Sequence, residues 1–232
     1  MMLHVRNVLS AEQVDHCRRV LQSVDWVDGR VTAGEQSARA KRNLQAPEDA
    51  PEAAVLGDLI LKALAASPHF MSAALPLKVF PPLFNRYGEG MGFGDHVDNA
   101  IRISARREGG VSEARYRTDL SCTLFLTDPA DYDGGELVVG EDLSAVRVKL
   151  PAGDMVLYPA TTIHRVEPVT RGERCASFFW VQSMVADLSR RALLYDLDRA
   201  TSAARARLSD EDPAAISLVG VYHNLVRMWA QT

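Results

Sequence analysis

Cysteine is scarce in this sequence, with three residues, Cys17, Cys122 and Cys175, in a chain of 232. An odd number of widely spaced cysteines argues against a disulfide framework and against a cysteine-based zinc site. We therefore expect three buried thiols.

Long apolar runs are absent as well, since no stretch approaches the roughly 18 residues that a membrane-spanning helix needs. The first residues, M-M-L-H-V-R-N-V-L, lack the basic segment, apolar stretch and small-residue cleavage site of a secretory signal. We therefore expect a cytoplasmic protein with no membrane partner. With 47% hydrophobic and 24% charged residues, the composition is that of a globular protein, either one large domain or one domain with an appendage.

The chain has no excess of positive charge. Its net charge is −4 and its isoelectric point is near 5.9. A surface built as a whole to bind phosphates would be basic, so nucleic acid is a weak candidate partner. The cluster of Arg102, Arg106 and Arg107 remains a local basic exception.

Several catalytic motifs are missing, namely the G-x-S-x-G elbow, the P-loop and the H-E-x-x-H helix. The alternating glycines between Gly88 and Gly94 do not open a helix after a strand, as a dinucleotide fingerprint must. We interpret them as positions of positive φ and close backbone approach beside a site. The D-G-G-E segment, residues 133–136, has the chemistry of a turn, so its acids are expected to be solvated and a paired-carboxylate hydrolase has little support.

Periodicity predicts helices at both ends of the chain and strands in the middle. Apolar residues at three- and four-residue spacing predict helices over about 11–24 and 51–66, the second opened by a proline. Residues 28–50 lack a period and predict a loop with room for one short strand. Seven strand-like runs between 77 and 183 predict a sandwich, barrel or jelly roll rather than a βαβ sheet. After Val185 a helical pattern returns, with a further helix opened by Asp212-Pro213.

The most informative stretch is N-R-Y-G-E-G-M-G-F-G-D-H-V-D-N, which ends in the pair His96 and Asp98. On an extended backbone, side chains two residues apart project to the same side, so the imidazole and the carboxylate can converge. His164, in the β-rich run Y-P-A-T-T-I-H-R-V, is the candidate third ligand. Two imidazoles and one carboxylate form the facial triad that holds Fe(II) and leaves positions open for a co-substrate and O₂.

Arg174 follows His164 by ten residues and is the candidate partner for the far carboxylate of a dicarboxylate ligand. Its planar fork can donate two parallel charge-assisted hydrogen bonds. The competitor, Arg171, lies in a T-R-G-E turn where we expect a solvated charge. We predict that His164 and Arg174 lie on adjacent antiparallel strands joined by a three-residue loop, 170–172. Arg174 should then face inward, within about 10 Å of the triad.

The remaining candidates have simpler interpretations. His16, His69 and His223 lie on a helix, in a turn and on the C-terminal helix, and we expect them to be ordinary surface or core histidines. The polar segment 103–118 directly follows the His-x-Asp pair and suggests a flexible flap over the site.

Four strings, considered together, resemble the PKHD-type hydroxylases of bacteria, within the prolyl-hydroxylase-like Fe(II)/2-oxoglutarate dioxygenases. They are G-D-H-V-D-N-A, R-T-D-L-S-C-T-L-F-L, Y-D-G-G-E-L and Y-P-A-T-T-I-H-R-V-E-P-V-T-R-G-E-R. The resemblance covers nearly the whole chain. It implies a mainly β fold with flanking helices, a double-stranded β-helix (jelly roll) over about 77–183. We expect a dioxygenase domain of residues 1–183 followed by a helical C-terminal extension, 184–232.

The same resemblance implies Fe(II) on His96, Asp98 and His164, 2-oxoglutarate on Arg174, and L-ascorbate as a helper. Tyr87, by its similarity to a prolyl hydroxylase tyrosine, would donate its hydroxyl to a 2-oxoglutarate carboxylate. The enzyme would decarboxylate 2-oxoglutarate to succinate and use O₂ to hydroxylate a primary substrate, either a peptide or a small molecule.

Two alternatives remain at this point. One is a non-catalytic, cupin-like metal or small-molecule sensor, which would have no need of Arg174. The other is an oxygenase of alkylated nucleic acid, against which the acidic isoelectric point counts. The sequence leaves open whether the chain forms a homo-oligomer.

Overall fold

The structure is a computed structural model that describes residues 1–32, 39–104, 114–209 and 211–232. Residues 105–113 of the predicted flap, 103–118, lie outside the described residues, and its two ends belong to a pair of short antiparallel strands, Ile101–Ile103 and Arg115–Arg117. Strands dominate the middle of the chain, and helices lie before and after them. The predicted class, mainly β with flanking helices, is therefore confirmed.

Seventeen short strands are described, most of them in two antiparallel sheets. In chain order they are β1 (Leu3–Val5), β2 (Val27–Asp28), β3 (Lys41–Arg42), β4 (Leu44–Gln45), β5 (Pro76–Val79), β6 (Leu83–Tyr87), β7 (Gly92–His96), β8 (Ile101–Ile103), β9 (Arg115–Arg117), β10 (Leu120–Phe125), β11 (Tyr132–Gly134), β12 (Leu137–Val139), β13 (Val146–Val148), β14 (Met155–Pro159), β15 (His164–Val166), β16 (Val169–Gly172) and β17 (Arg174–Ser183).

The larger sheet has eight strands in the order β1-β14-β10-β17-β6-β4-β2, with β5 also paired to β17. The smaller sheet has five, in the order β13-β12-β15-β7-β3. A buried cluster that includes Phe125 and Val156 from the larger sheet and Leu137 and Val166 from the smaller one fills the space between them. Two antiparallel sheets closed over one apolar interior form the expected jelly roll.

Five complete α-helices lie in the described part of the chain: α1 (Ala11–Leu21), α2 (Pro51–Ala65), α3 (Pro68–Ala74), α4 (Leu188–Arg205) and α5 (Pro213–Trp229). Helix α1 begins with a capping box in which the Ser10 side chain accepts from Gln13 N and the Gln13 side chain accepts from Ser10 N. Leu56 and Ile60 of α2 share a fully buried cluster with Cys122 of the larger sheet, so this helix packs on the sheet's outer face. All three cysteines are free and buried, as predicted.

Several boundaries differ from the sequence-based expectation. The run 76–87 is two strands rather than one, because Pro81 and Pro82 cannot donate to a sheet ladder. Residues 68–74 form a helix, started by the Ser67 cap and Pro68, where a turn was expected. The expected loop 28–50 contributes β3 and β4 to the two sheets. The two C-terminal helices lie where they were predicted.

The predicted connection between His164 and Arg174 was wrong. Residues 169–172 are not a hairpin loop but a strand, β16, which pairs with β11. Strand β15 lies in the smaller sheet and β17 in the larger one, so the chain crosses from sheet to sheet between these two residues. Gly172 allows the chain to follow this path. Its φ is +73°, and any other residue would place its Cβ 2.3 Å from Asp131 O, which is too close.

No single helix in the described part of the chain is long and apolar enough to cross a membrane. Helices α2 and α3 pass that test only when they are taken together, and they are bent by 86° at the break between them.

Candidate active site

His96, Asp98 and His164 converge at one end of the smaller sheet. His96 ends β7, His164 begins β15, and the two are directly opposed across this antiparallel pair. One ligand atom from each of the three residues lies within 4.8 Å of the others, and His164 Nε2 lies 3.8 Å from Asp98 Oδ2. The structure thus brings together the three residues that the sequence singled out.

Both imidazoles have Nδ1 against a backbone carbonyl, at 2.8 Å from Gly94 O for His96 and 3.0 Å from Thr162 O for His164. A carbonyl oxygen only accepts, so Nδ1 carries the proton and Nε2 keeps its lone pair. Burial and the neighbouring His164 lower the pKa of His96 to about 4, so its ring is neutral at pH 7. Two imidazole nitrogens and a carboxylate are a donor set that fits Fe(II).

Asp98 is oriented by Ser121, a buried residue of β10 whose hydroxyl donates to Asp98 Oδ2 at 2.5 Å. Outer hydrogen bonds of this kind fix the direction of a metal-binding carboxylate. Ser121 comes from the larger sheet, whereas His96 and His164 lie on the smaller one and Asp98 follows two residues after its strand β7. Sequence reasoning missed it, because nothing in R-T-D-L-S-C-T-L indicates which residue faces Asp98.

Arg174 lies at the start of β17 and is 1% exposed, so its inward orientation agrees with the prediction even though the connecting loop does not. Its guanidinium lies between the rings of Tyr87 and Phe125, at 5.3 and 5.2 Å from their centroids. Arg174 Nε and Nη1 have no hydrogen-bond partner among the described residues. A buried cation in this state is costly unless an anion joins it.

Tyr87 is directly opposed to Arg174 across the β6–β17 pair, and it is also 1% exposed. Burial raises the pKa of its phenol, which therefore stays protonated and can donate a hydrogen bond. Arg171, by contrast, is exposed and pairs with Asp133 through a 2.7 Å contact from its Nε atom. The expectation that Arg171 is a solvated charge is confirmed.

A single cavity connects the triad to Arg174. Its wall also includes Tyr158 and Leu137 and continues toward Phe178 and Trp180. Apolar walls with a few convergent polar groups are typical of small-molecule sites. The arrangement can hold a divalent metal at one point and an anionic group a short distance away.

Gly135 leaves space for the Arg174 side chain, a role that its turn-like sequence did not suggest. At φ +65° it lies where a Cβ would come within 2.9 Å of Val169 Cγ2, 3.1 Å of Tyr132 Cε2 and 3.2 Å of Arg174 Cδ. Glycine is therefore required both by the backbone conformation and by the neighbouring side chains.

Replacing Gly135 by alanine is expected to lower the free energy of unfolding by about 1–3 kcal/mol, because the new methyl group displaces Arg174. If Arg174 binds 2-oxoglutarate as the sequence predicts, the same change should weaken that binding. Urea denaturation and calorimetric titration measure the two effects. Gly88→Ala is the matched control, since a Cβ at Gly88 meets nothing within 4 Å. Equal 2-oxoglutarate affinity in Gly135→Ala and the wild type would contradict this role.

Comparison with protein families gives two matches. Residues 82–182 match the 2OG-Fe(II) oxygenase superfamily, and residues 189–231 match the PKHD-type hydroxylase C-terminal domain. The first range contains the triad, Tyr87 and Arg174, and the second covers α4 and α5.

Similar curated proteins extend over the full chain. A PKHD-type hydroxylase of Methylobacterium nodulans is 57% identical over 231 residues, covering 100% of both chains. One from Saccharophagus degradans is 55% identical over 232 residues, again covering 100% of both.

Solved structures with low identity share the fold. A Pseudomonas putida prolyl-4-hydroxylase is 19% identical, with a TM-score of 0.50 over 78% of this chain and 92% of that one. HygX from Streptomyces hygroscopicus, solved with nickel, 2-oxoglutarate and hygromycin B, is 16% identical, with a TM-score of 0.53 over 78% of this chain and 82% of its own.

Both relatives are more than 50% identical to this chain over its whole length, which establishes the family. This agrees with the resemblance seen in the sequence. The chain belongs to the PKHD-type hydroxylases, which are Fe(II)- and 2-oxoglutarate-dependent oxygenases.

Proposed function

We propose that His96, Asp98 and His164 hold the Fe(II) of this oxygenase and that Arg174 binds the far carboxylate of 2-oxoglutarate. The observation that carries the proposal is Arg174 itself, a buried guanidinium whose Nε and Nη1 find no acceptor in the described part of the chain. It lines the same cavity as the triad. A metal sensor would have no use for such a buried cation, so the geometry favours the enzyme.

When bound, Fe(II) with 2-oxoglutarate and O₂ supplies the oxidant that hydroxylates a C–H bond, while 2-oxoglutarate becomes succinate and CO₂. The protein residues orient the reactants. The Nδ1 contacts to Gly94 O and Thr162 O keep both Nε2 lone pairs available. Phe93 stacks on the His96 ring, with centroids 3.6 Å apart, and limits its rotation.

Tyr87 is proposed to complete the carboxylate end of the cavity, which it lines and where its ring lies against the Arg174 guanidinium. Burial raises the pKa of its phenol, so it can donate to an anion. Tyr132 interacts with the Arg174 side chain without lining the cavity, and burial raises the pKa of its phenol as well.

We further propose L-ascorbate as the reductant that returns the metal to Fe(II) after unproductive turnover, and the cytoplasm as the location. Three free, buried thiols support a reducing compartment. We also propose that 1–183 is the catalytic domain and 184–232 an extension, because β17 ends at Ser183 and the separate C-terminal family match begins at 189.

The proposal is tested by anaerobic titration of 2-oxoglutarate into the Mn(II)-loaded and the metal-free protein, followed by aerobic assay with Fe(II). We expect metal-dependent binding with one site per chain and succinate formed in step with 2-oxoglutarate consumed. Metal binding without any turnover of 2-oxoglutarate, with or without a cell metabolite extract, would instead indicate the sensor.

Ser121→Ala is expected to weaken Fe(II) binding about 10–100-fold, because Asp98 loses the hydrogen bond that orients it. The measurement is a competition titration with a chelator of known affinity. Ser121→Thr, which keeps a hydroxyl, should recover most of the affinity. Ser177→Ala is the control, since that buried serine donates to Leu83 O and not to the triad. Unchanged affinity in Ser121→Ala would mean that Asp98 is held by its backbone alone.

A further inference from the structure

The cavity extends beyond the triad to a second pair of cations, Lys41 and Arg102. Lys41 lies on β3, which pairs with the triad-bearing strand β7, and it is 5% exposed. Arg102 lies on β8, four residues after Asp98, and its side chain is 13% exposed. Lysine and arginine are seldom buried to this extent, so their position at one cavity calls for a functional explanation.

Aromatic rings hold both cations at the cavity. Lys41 Nζ lies 5.4 Å from the Phe93 ring centroid and 5.8 Å from that of Phe178. The Arg102 guanidinium carbon lies 4.7 Å from the Trp180 ring centroid. These contacts partly offset the loss of water around the charges. They also leave flat apolar surface beside each charge.

Each of the two cations also has a polar contact inside the protein. Lys41 Nζ donates to the neutral amide oxygen of Gln45 at 3.3 Å, and Arg102 Nη2 lies 3.4 Å from Glu48 Oε1. Burial, followed by the nearby charge of Arg102, lowers the pKa of Lys41 to about 8. Lys41 is therefore still largely charged at pH 7. The carboxylates of Asp98, Asp28 and Glu48 act in the opposite direction and favour its charged form, so the cavity wall here carries two cations held partly by nearby acids.

The rings beside these cations, Phe178 and Trp180, lie four and six residues along β17 from Arg174. Arg174, Phe178 and Trp180 all line the cavity from alternate positions of one strand, β17. Four and six residues of strand correspond to about 13 and 20 Å. A five-carbon dicarboxylate extends over roughly 6 Å, at ~1.5 Å per bond. We therefore assign a ligand group that packs on Trp180 beside Arg102 to a different molecule from one anchored at Arg174.

We propose that the primary substrate carries an anionic group, a carboxylate or a phosphate, which Lys41 and Arg102 bind together while its apolar part packs on Phe178 and Trp180. This inference rests on the proposed function, since it takes the cavity as the active site. Because both cations are part of the wall near the triad, the anion would fix which C–H bond of the substrate faces the metal position.

The test uses anaerobic protein loaded with Mn(II) and saturating 2-oxoglutarate. The part of the cavity beside Arg174, called the Arg174 end, is then already occupied. The probes are 3-phenylpropanoate, phenyl phosphate and the uncharged 3-phenylpropanol, and their dissociation constants are measured by ligand-observed NMR. We expect at least one anion to bind about tenfold more tightly than the alcohol, the size of one charge-assisted hydrogen bond. A preference for either anion supports the proposal, and the tighter of the two identifies the group.

In Lys41→Met and Arg102→Met the preference should fall to about twofold or less, since each removes one charge but keeps an apolar chain. Lys78→Met and Arg147→Met are the controls. Lys78 lies over the Tyr116 ring and Arg147 is exposed, and neither lines the cavity. Calorimetric 2-oxoglutarate binding verifies that each variant keeps its fold and its Arg174 end. Where a methionine variant fails this check, Lys41→Arg or Arg102→Lys takes its place and should retain the preference.

Equal affinity of the wild type for the alcohol and both anions would overturn the proposal. So would an undiminished preference in Lys41→Met and Arg102→Met, or its loss in the charge-retaining variants. Failure of the wild type to bind 2-oxoglutarate in the presence of Mn(II) is a separate result, seen before any probe is added, and it counts against the proposed function.

Discussion

Alanine in place of His164 is expected to abolish the iron-dependent formation of succinate, and His96→Ala and Asp98→Ala should do the same. A triad reduced to two ligands loses metal affinity and the facial geometry that leaves positions open. Asp98→Glu should also fail, because the longer side chain moves the carboxylate away from the point where the ligand atoms converge. The measurements are iron content by mass spectrometry and succinate yield.

The control for this series is His223→Ala, since that exposed histidine lies on α5, outside the cavity. Its iron content and turnover should match the wild type. Normal succinate formation by His164→Ala would show that the third ligand has been wrongly assigned. The direct opposition of His164 and His96 across β15 and β7 would then need another explanation.

Arg174→Met should raise the KM for 2-oxoglutarate by about two orders of magnitude or more and leave the metal content unchanged. Removing a charge-assisted bidentate pair from a desolvated site costs about 2–5 kcal/mol. Methionine keeps the apolar stem that packs beside Phe125 and Tyr87, so the change isolates the guanidinium. Initial rates at varied 2-oxoglutarate concentration measure the effect.

The comparison variant is Arg171→Ala, which removes the other arginine of this segment. Its guanidinium is exposed and held by Asp133, so the KM should stay within about twofold of the wild type. An unchanged KM in Arg174→Met together with a raised one in Arg171→Ala would transfer the role to Arg171.

The candidate site could be found from the sequence because its main residues lie in short, strand-like strings with recognisable spacing. His96 and Asp98 are two residues apart, and the ten-residue interval from His164 leads to Arg174. Inward orientation was predicted for Arg174 and is observed, although the argument assumed a hairpin that does not exist.

What the sequence could not give is the pairing between distant segments. Ser121 meets Asp98 only because the two sheets face each other. Lys41 lies in a stretch without periodicity, and its place beside β7 follows from one short strand pair, Lys41 with Phe93 and Arg42 with Gly92. Local patterns contain no information about such long-range register, which tertiary packing decides.

Strand β17 separates two environments along its length. Cys175 and Val181 belong to the buried cluster beneath the helices, whereas Arg174, Phe178 and Trp180 line the cavity. Side chains alternate along a strand, so one inserted or deleted residue would exchange the two sets. Single substitutions therefore preserve this alternation, whereas a change in the length of the strand would break it. Divergent homologues should differ in length in their connecting loops and keep the Arg174–Ser183 segment free of insertions and deletions.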